Sequence, residues 1–391
     1  MGQISFLLGA GFSVNRGYPT AARLNEMITS LKATDFTVAQ QGSVCWLENG
    51  QEDIFAHDGN STFKQFLLDL IAFYAARHEF NYEEFFDFYT NINDPNHKDD
   101  DFKHFCDNFR EKHHIEDDNI NLVSRHNSIF NQLISGFLVD RDENHFYPRI
   151  HHMGPYNGYN GFLGCIQSWG RENVLHIHTL NHDLFLESLN HTDAINGELS
   201  DGFTELGSPY YGELESGDKI RLSCFTGIYE TNYRLYKLHG SLDQYPFHSM
   251  NGGGISAYIK TKYGIGVTDF YKEEMNEQGK LQYVNDFINY FPDFLSGTTS
   301  KILRYRNPVY YEEIFKSFEA NLRTSEILIL IGYGCGDSEI NNIIFDHFKG
   351  VMYLIDPFPS AKTLEFCDKT GAKLIEKTPE NIGLPDFDQQ P

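Results

Sequence analysis

The sequence predicts an α/β fold, namely a Rossmann-like parallel sheet with helices on both faces and a large helical insertion. Short continuous apolar runs suited to buried parallel strands occur near both ends of the chain, at residues 4–8 and 327–331. Between residues 33 and 160, strand signals are sparse and aromatic residues recur at helical spacing. The predicted division is therefore a sheet domain of residues 1–32 and 161–391 around an insertion of residues 33–160.

The turn after the first apolar run is the most informative segment of the chain. Gly9-Ala10-Gly11 follows the run directly, and the hydroxyl residue Ser13 comes shortly after. Glycine lets the main chain approach a pyrophosphate closely, and backbone amides with the next helix N-terminus supply positive potential. Val14 stands where the third glycine of the usual dinucleotide-binding motif would be. The segment favours a nucleotide-binding turn, with an ordinary glycine-rich turn as the alternative.

Helical patterns dominate from this turn to the end of the insertion. Apolar residues spaced three and four apart predict a helix over residues 19–32. Aromatic stripes predict further helices within residues 63–89, where Asn81 and Glu84 match a capping box. The acidic run at residues 94–101 predicts a solvated loop, with a functional acid cluster as the alternative.

Strand patterns return after the insertion. They predict strands over residues 174–179, 235–238, 327–331, 352–355 and 372–375. A helix is predicted after the third of these strands, and no element is predicted between residues 252 and 308. The first four strands end in polar or glycine-rich clusters, at residues 181–183, 239–241, 332–337 and 356. Because the carboxyl ends of parallel strands lie along one edge of a sheet, we expect these clusters and the first glycine turn to converge on a ligand.

The composition excludes several classes of protein. The 391 residues carry a formal net charge of −24, which argues against a nucleic-acid surface because phosphate binding needs clustered Lys and Arg. No apolar stretch reaches about 18 residues, so no transmembrane helix is expected. Six cysteines without C-x-x-C spacing, and no secretion-signal pattern, predict a cytoplasmic protein without a metal site. A P-loop and a G-x-S-x-G motif are both absent from the sequence, which disfavours ATP turnover by this chain and a serine hydrolase.

The strand-end clusters taken together resemble the sirtuin-like family. Residues 9–13 with residues 17–19 (GAGFS and GYP) are similar to its first phosphate-binding segment. Residues 181–183 (NHD) are similar to its N-x-D segment, and His239 with the following glycine to its His-Gly pair. Residues 332–336 are similar to its second nucleotide loop.

This resemblance covers roughly residues 1–32 and 165–360. Sirtuin deacylases carry a four-cysteine zinc module, whereas this chain has no paired cysteines. The helical insertion and the Gly-Tyr-Gly pattern before Asp337 resemble the bacterial antiphage-defence branch of the family instead. Members of that branch hydrolyse NAD+ to nicotinamide and ADP-ribose, and some assemble with a HerA-like ATPase. The resemblance therefore implies NAD+ as substrate, no metal, and an ATPase of this kind as a candidate partner.

The resemblance also implies the residues of the site. Asn181 and His239 are the implied catalytic residues. The implied ligand-binding residues are Gly9, Ala10, Gly11, Ser13, Asp183, Gly332, Tyr333, Gly334, Asp337 and Asp356. Among these, the amides of the first turn would lie near the diphosphate, Asp183 near the nicotinamide amide, and Asp356 near the adenosine ribose.

The chemistry of the two catalytic side chains fits the implied reaction. Cleavage of a glycosidic bond passes through an oxocarbenium-like state at the anomeric carbon. The carboxamide of Asn181 can accept a hydrogen bond from water and donate one to a ribose hydroxyl. His239 can accept a proton from water or from a ribose hydroxyl at neutral pH.

Each assignment has a structural alternative. Asn181 and Asp337 are residue types favoured as helix N-caps, and an ordinary core histidine is the alternative for His239. His176 and His178 alternate along one predicted strand and so share a face, but the sequence suggests no third metal ligand beside them.

Two other functions stay open from the sequence. One is an NAD+-dependent protein deacylase, and the other is a non-catalytic regulatory subunit that binds NAD or ADP-ribose. An effector that consumes NAD+ must be silent in healthy cells, so we expect regulation through homo-oligomers. The aromatic block at residues 63–89 is the candidate oligomer surface, with the core of the insertion as the alternative use of these rings.

Overall fold

The computed structural model describes residues 2–39, 44–46, 60–90, 99–138, 156–248, 254–262, 265–285, 292–294, 307 and 309–387. The chain forms two compact units. The first unit comprises Met1–Tyr18, Tyr147–Asn289 and Arg304–Pro391, and the second comprises Pro19–Phe146 and Tyr290–Leu303. These limits differ from the predicted insertion boundaries, in part because Tyr159 belongs to the core of the first unit.

The first unit is built on a seven-stranded sheet. In chain order its strands are β1 (Gly2–Leu8), β2 (Asn173–Thr179), β3 (Leu199–Ser200), β4 (Tyr233–Lys237), β5 (Ile327–Ile331), β6 (Val351–Ile355) and β7 (Lys373–Ile375). They lie in the order β7-β6-β5-β1-β2-β4-β3, and every adjacent pair is parallel. The predicted Rossmann-like parallel sheet is confirmed.

Strand β1 lies at the centre of this sheet because its residues can be buried on both faces. Leu8 is in register with Ile331 of β5 on one side and with Thr179 of β2 on the other. All five residues of β5 are buried, as expected for a continuous aliphatic run in a parallel sheet. The glycine turn that follows β1 therefore emerges at the middle of the carboxyl edge.

Helices cover both faces of the sheet. On one face, Ile177 of β2 packs in the same core cluster as Trp169 from the helix Asn160–Gly170. The next residue, His178, points to the other face, where its ring lies 4.7 Å from that of Phe318 in the helix Tyr311–Thr324. His176 shares this face with His178, as predicted. Burial lowers the pKa of His178 to about 3, so this histidine is a neutral core residue at physiological pH.

The remaining strands of the first unit form two antiparallel sheets that the sequence did not indicate. One contains Phe203–Thr204, Ser223–Phe225, Gln244–His248 and Ile255–Lys260. The other contains Tyr210–Leu214, Lys219–Arg221, Ile265–Met275 and Leu281–Val284. Beyond the two helices named above, the first unit has helices at Ala10–Ser13, Phe185–Ser188, Ser338–His347 and Ala361–Thr370.

The second unit is mainly helical, in agreement with the predicted character of this part of the chain. Its described helices are Ala21–Thr29, Ser61–Ala75, Tyr82–Thr90, Asp100–His113 and Asn119–Phe137, and a short hairpin joins Phe36–Val38 to Val44–Trp46. The aromatic rings considered as an oligomer surface are buried inside this unit: Phe66, Phe85 and Tyr89 are each 0% exposed. These rings fill the core of the unit, so the suggested surface is wrong.

Among the described residues, no helix combines the length and the apolar character that crossing a membrane requires.

Candidate active site

The ends of five parallel strands lie side by side, because hydrogen bonds continue between their backbones past the last strand residues. These amide-to-carbonyl bonds run from Gly332 to Ile355, from Gly9 to Ile331, from Leu180 to Leu8 and from Leu238 to Thr179, with lengths of 3.2, 3.1, 3.0 and 2.9 Å. The clusters that follow β1, β2, β4, β5 and β6 are therefore neighbours along one edge, although they are far apart in sequence.

Two glycine-rich loops pack against each other backbone to backbone at the middle of this edge. A Cβ on Gly9 would lie 2.6 Å from the carbonyl oxygen of Gly332, and one on Gly11 would lie 2.9 Å from the Cα of Gly332. Gly332 itself has a φ of +60°, and its Cβ would lie 2.2 Å from the amide of Phe12. These three glycines are therefore required by the contact between the loops.

This packing corrects the role expected for one backbone amide. The amide of Gly11 donates to the carbonyl oxygen of Gly332 at 3.0 Å, so it is engaged within the protein rather than available to a diphosphate. The outer side of the turn is accessible, since Ala10 and Gly11 are exposed while Ser13 is buried. On its buried side the turn is stabilised by Tyr159, whose hydroxyl donates to the carbonyl oxygen of Phe12 at 2.6 Å.

Gly334 and Gly336 differ from the three packed glycines. A Cβ at either position would meet no atom within 4 Å, and neither residue has a positive φ. The packing of the described residues therefore gives no reason for glycine here. Close approach by a bound molecule would give one, because a side chain at these positions would occupy the space above the loop. Gly336 was not singled out from the sequence.

Asn181 is buried, and its side chain is oriented by the glycine turn. Its Nδ2 atom donates to the carbonyl oxygen of Gly9 at 3.0 Å and to Oγ of Ser13 at 2.9 Å. A carbonyl oxygen can only accept, so the amide nitrogen must face Gly9, and Oδ1 must face the opposite way. This corrects the expected donation to a ribose hydroxyl, because both donor hydrogens already have acceptors in the protein. The group that Asn181 can offer a ligand is the acceptor Oδ1.

Asp183 is joined to Asn181 through the same serine. Its carboxylate accepts from the hydroxyl of Ser13 and, at 3.0 Å, from the amide of Phe185. Burial raises the pKa of Asp183, while the positive charge of Lys237 and these two hydrogen bonds act in the opposite direction. Gly9, Asn181, Ser13 and Asp183 thus form one continuous hydrogen-bonded group.

His239 follows the neighbouring strand end and is buried. Its Nε2 atom lies 3.8 Å from Oδ2 of Asp337. Asp337 also caps the helix Ser338–His347, with Oδ1 accepting from the amides of Glu339 at 3.1 Å and Ile340 at 3.2 Å. The N-cap interpretation of Asp337 is therefore confirmed, and its second oxygen faces the imidazole.

The rings of His182 and His239 bring the two implied catalytic segments together. Their centroids are 6.2 Å apart, and both side chains are buried. Since His182 directly follows Asn181, the amide and the imidazole of the candidate site extend from adjacent strand ends on the same edge of the sheet. His182 itself was not singled out, because a histidine between Asn and Asp has no signal of its own.

Tyr333 supports the second glycine loop from inside. Its hydroxyl donates to the carbonyl oxygen of Asp337 at 3.1 Å or to Oδ1 of Asn341 at 2.8 Å. Asn341 in turn donates from Nδ2 to the carbonyl oxygen of Cys335 at 3.0 Å. Burial raises the pKa of Tyr333, so its hydroxyl stays protonated. The hydroxyl of Tyr333 is therefore engaged within the protein, and Asn341 supports the same loop, a role that sequence patterns missed.

Asp356 ends β6 beside the same loop. Its Oδ1 accepts from the amide of Phe358 at 2.9 Å, which forms a tight turn. The backbone of Asp356 donates to the carbonyl oxygen of Ile375 at 3.2 Å. The residue is only partly buried, so its carboxylate can be reached from solvent.

Within the part of the chain that the structure describes, no group of three or more His, Cys, Asp or Glu side chains is arranged to hold a metal ion.

Comparison with known proteins gives structural similarities alone. No family model matches the sequence, and no curated protein matches it.

A Sir2 homologue in complex with NAD is similar at 10% identity over 97% of this chain and 85% of that chain, with a TM-score of 0.35. A mutant Sir2 homologue in complex with ADP-ribose matches at 10% identity, over 97% of this chain and 87% of that chain, with a TM-score of 0.34. A further structure, described as the structural basis for the mechanism and regulation of Sir2 enzymes, matches at 11% identity over 97% and 88%, also with a TM-score of 0.34. Similarities with TM-scores this low assign no function to the chain.

Proposed function

We propose that this protein is an NAD+ glycohydrolase, which converts NAD+ and water to nicotinamide, ADP-ribose and a proton. The observation that carries the proposal is the hydrogen-bonded group of Asn181, Ser13 and Asp183 beside His239 at the carboxyl edge of a parallel sheet. Ligands of open α/β sheets bind at this edge. The acceptor oxygen of Asn181 and the imidazole of His239 supply the two functions that cleavage by water needs.

The proposed orientation of NAD+ follows the order of the strand ends. The adenosine lies toward Asp356 and Gly334, since the partly exposed carboxylate can accept from ribose hydroxyls. The diphosphate lies over the exposed side of the first turn, at Ala10 and Gly11. The nicotinamide ribose then reaches Asn181, one strand further along the edge, and His239, two strands further.

In the proposed reaction, the bond between the anomeric carbon and the nicotinamide nitrogen breaks, and the electron pair stays on the nitrogen. The leaving group is already a cationic pyridinium, so it needs no protonation. Oδ1 of Asn181 accepts a hydrogen bond from the attacking water and orients it toward the oxocarbenium-like carbon. His239 takes the proton that the water loses, a step typically worth about 10²–10⁴ in rate. Asp183 accepts a hydrogen bond from the amide of nicotinamide.

The test is incubation of the purified chain with NAD+ and identification of the products. Asn181→Ala and His239→Ala are expected to lose release of nicotinamide and ADP-ribose while keeping their folded structure. His347→Ala is the matched control, because this histidine lies at the far end of the helix that Asp337 caps. Turnover retained in both site variants would reject the catalytic assignment.

The same assay separates the alternatives. Acetyl-ADP-ribose formed in the presence of an acetylated peptide would identify a deacylase. Thermal stabilisation by NAD+ or ADP-ribose without turnover, under every activating condition tried, would identify a regulatory subunit that binds the ligand.

The cellular role that we propose is that of an antiphage effector, and it rests on the resemblance of the sequence motifs. Depletion of NAD+ in infected cells would halt phage growth, and regulation by homo-oligomers or by a HerA-like ATPase would keep the enzyme silent before infection. The experiment is phage challenge of cells that express the wild type or His239→Ala, with NAD+ measured over time. Equal phage growth in the two strains would contradict the role.

A further inference from the structure

Four buried charged residues and the partly exposed Asp201 form one cluster beneath the catalytic segments. They are Glu187, Asp201, Lys237, Asp243 and Lys260, and we refer to them as the buried ion cluster. Lys237 is 2% exposed and Glu187 is 6% exposed. Burying a charge this deeply costs free energy unless the charge is paired. The partners of each buried charge therefore identify the segments of the chain that it connects.

Lys237 connects the buried ion cluster to the candidate active site. It is the last residue of β4, two positions before His239. Its ammonium donates to the main-chain carbonyl oxygen of Asp183 and lies 3.4 Å from Oε1 of Glu187. The side chain of Lys237 therefore reaches from the strand that carries His239 to the loop that carries Asn181 and Asp183.

The backbone of Lys237 is held as firmly as its side chain. Its carbonyl oxygen accepts from the hydroxyl of Tyr310 at 3.0 Å and from the amide of Gly240 at 3.2 Å. The second of these bonds closes the turn that contains His239. Lys237 thus supports the imidazole of His239 through its main-chain carbonyl oxygen, and it supports the loop of Asn181 and Asp183 through its ammonium.

We propose that Lys237 is the positioning residue of the candidate active site, which sets the loop of Asn181 and Asp183 at its working distance from His239. This inference rests on the proposed function. Beyond the backbone bond from Leu238 to Thr179, two contacts join these segments: the amide of Leu242 donates to the carbonyl oxygen of His182 at 3.1 Å, and the ammonium of Lys237 donates to the carbonyl oxygen of Asp183. The ammonium of Lys237 reaches the main chain of Asp183 itself, and glycosyl cleavage is sensitive to small misplacements of the attacking water.

The charge of Lys237 has a second effect on the same loop. It favours the ionised form of the Asp183 carboxylate, which burial disfavours. The hydrogen-bond donors to this carboxylate are neutral, namely the hydroxyl of Ser13 and the amides of Phe185 and of Asp183 itself. Tyr159 also lies near the carboxylate, and its pKa is raised by its own burial and by Asp183. Loss of Lys237 is therefore expected to raise the pKa of Asp183.

Lys260 offers a matched control within the buried ion cluster. Its ammonium lies 2.7 Å from Asp201 and 3.5 Å from both Asp243 and Glu187. It shares Glu187 with Lys237, but it lies on the antiparallel strand Ile255–Lys260, and its other partners are Asp201 and Asp243 instead of Asp183. Removing either lysine takes one positive charge away from the buried carboxylates, but only removal of Lys237 also breaks the hydrogen bond to the carbonyl oxygen of Asp183.

The experiment compares Lys237→Met, Lys237→Arg and Lys260→Met with the wild type over a range of pH. Lys237→Met is expected to lower kcat about 100-fold, the loss that a small misplacement near the reacting atoms can cause. The acid limb of its kcat/KM profile should move to higher pH, because the ionised carboxylate of Asp183 accepts more strongly from the nicotinamide amide than the protonated carboxyl group does. In Lys237→Arg the acid limb should return to its wild-type pH. Lys260→Met should lower thermal stability without shifting the acid limb. Equal profiles for Lys237→Met and Lys260→Met would overturn the proposal.

A direct titration of Asp183 by carboxyl-carbon NMR makes the test independent of turnover. The midpoint should rise in Lys237→Met and stay unchanged in Lys260→Met. Should Lys237→Met fail to fold, Glu187→Gln is the second variant. Glutamine keeps the shape of the Glu187 side chain but removes the negative charge that anchors Lys237. Glu187→Gln should lower kcat about tenfold. Absence of turnover in the wild type would reject the proposed function, whereas an unchanged Asp183 midpoint in Lys237→Met, or a Glu187→Gln variant with wild-type kcat, would reject the role of Lys237.

Discussion

Asn181 donates a hydrogen bond to Oγ of Ser13 at 2.9 Å, although the two residues are 168 positions apart in the chain. The hydroxyl of Ser13 in turn donates a hydrogen bond to the carboxylate of Asp183. The N-x-D segment after β2 is therefore tied to the glycine turn after β1. This connection leaves one face of the Asn181 amide, its oxygen, for a ligand.

Ser13→Ala is expected to lower kcat for NAD+ hydrolysis at least about tenfold, because Asn181 and Asp183 lose their common partner. Its free energy of unfolding should fall by about 1 kcal/mol, the usual net value of one hydrogen bond. Steady-state kinetics and denaturant unfolding provide the two measurements. Ser5→Ala is the control, since Ser5 lies on β1 itself and its hydroxyl forms a buried 2.9 Å hydrogen bond with the hydroxyl of Ser325. If both variants lose activity equally, the effect belongs to folding rather than to the site.

Gly332→Ala is expected to lower the stability of the protein, whereas Gly334→Ala is expected to weaken the binding of NAD+. At Gly332 the positive φ and the contact with Phe12 make alanine strained, with a cost of about 1–3 kcal/mol from the backbone conformation alone. At Gly334 a methyl group meets no neighbour, so the free energy of unfolding should stay within about 0.5 kcal/mol of the wild type. The KM for NAD+ should nevertheless rise about tenfold in Gly334→Ala. An unchanged KM would remove Gly334 from the proposed nucleotide site.

His126→Phe is expected to stabilise the protein in mild acid. His126 is fully buried in the second unit, and neither ring nitrogen has a hydrogen-bond partner among the described residues. Its ring lies instead against Phe66 and Tyr89, at centroid distances of 5.4 and 4.7 Å. A phenylalanine ring would make similar contacts without a buried polar atom.

The sign of the pH effect follows from the pKa of His126, which burial lowers to about 3. The unfolded chain binds a proton below pH about 6.5 while the folded protein does not, so stability is full above this pH and is lost as the pH falls. At pH 5 the loss amounts to about 2 kcal/mol. Thermal unfolding at pH 7.5 and pH 5 should show a smaller drop for His126→Phe than for the wild type. His178→Phe should destabilise at both pH values, because His178 is hydrogen-bonded to the carbonyl oxygen of Phe6. A drop in His126→Phe as large as in the wild type would contradict this account.

The proposed site should prefer nicotinamide to nicotinic acid as the leaving group. The buried carboxylate of Asp183 can accept from an amide but repels a second carboxylate, and such like-charge pairs cost several kcal/mol. We expect kcat/KM for nicotinic acid adenine dinucleotide to be at least about 100-fold lower than for NAD+. Asp183→Asn should narrow this ratio, and competition assays with both dinucleotides measure it. Equal use of the two substrates by the wild type would contradict the assignment of Asp183.

Six of the seven strands of the parallel sheet could be predicted closely because their signal is local, whereas the two-residue β3 was missed. The predicted strand over residues 327–331 coincides with β5, and the one over 174–179 begins a single residue after β2 does. Uninterrupted aliphatic runs that end in glycine or polar residues are typical of buried parallel strands, whatever lies around them. The antiparallel strands between residues 203 and 284 were missed, since their short, mixed sequences become strands only through pairing with distant segments.

The sequence by itself determined the parallel sheet and the types of side chain at its carboxyl edge, because strand periodicity and residue chemistry are properties of short segments. The tertiary structure alone decided what those side chains contact. It engages the donors of Asn181 with Gly9 and Ser13, turns the hydroxyl of Tyr333 inward, and brings the ammonium of Lys237 to Asp183. Such partners depend on which atoms of remote segments come within hydrogen-bonding distance, and no local pattern encodes that distance.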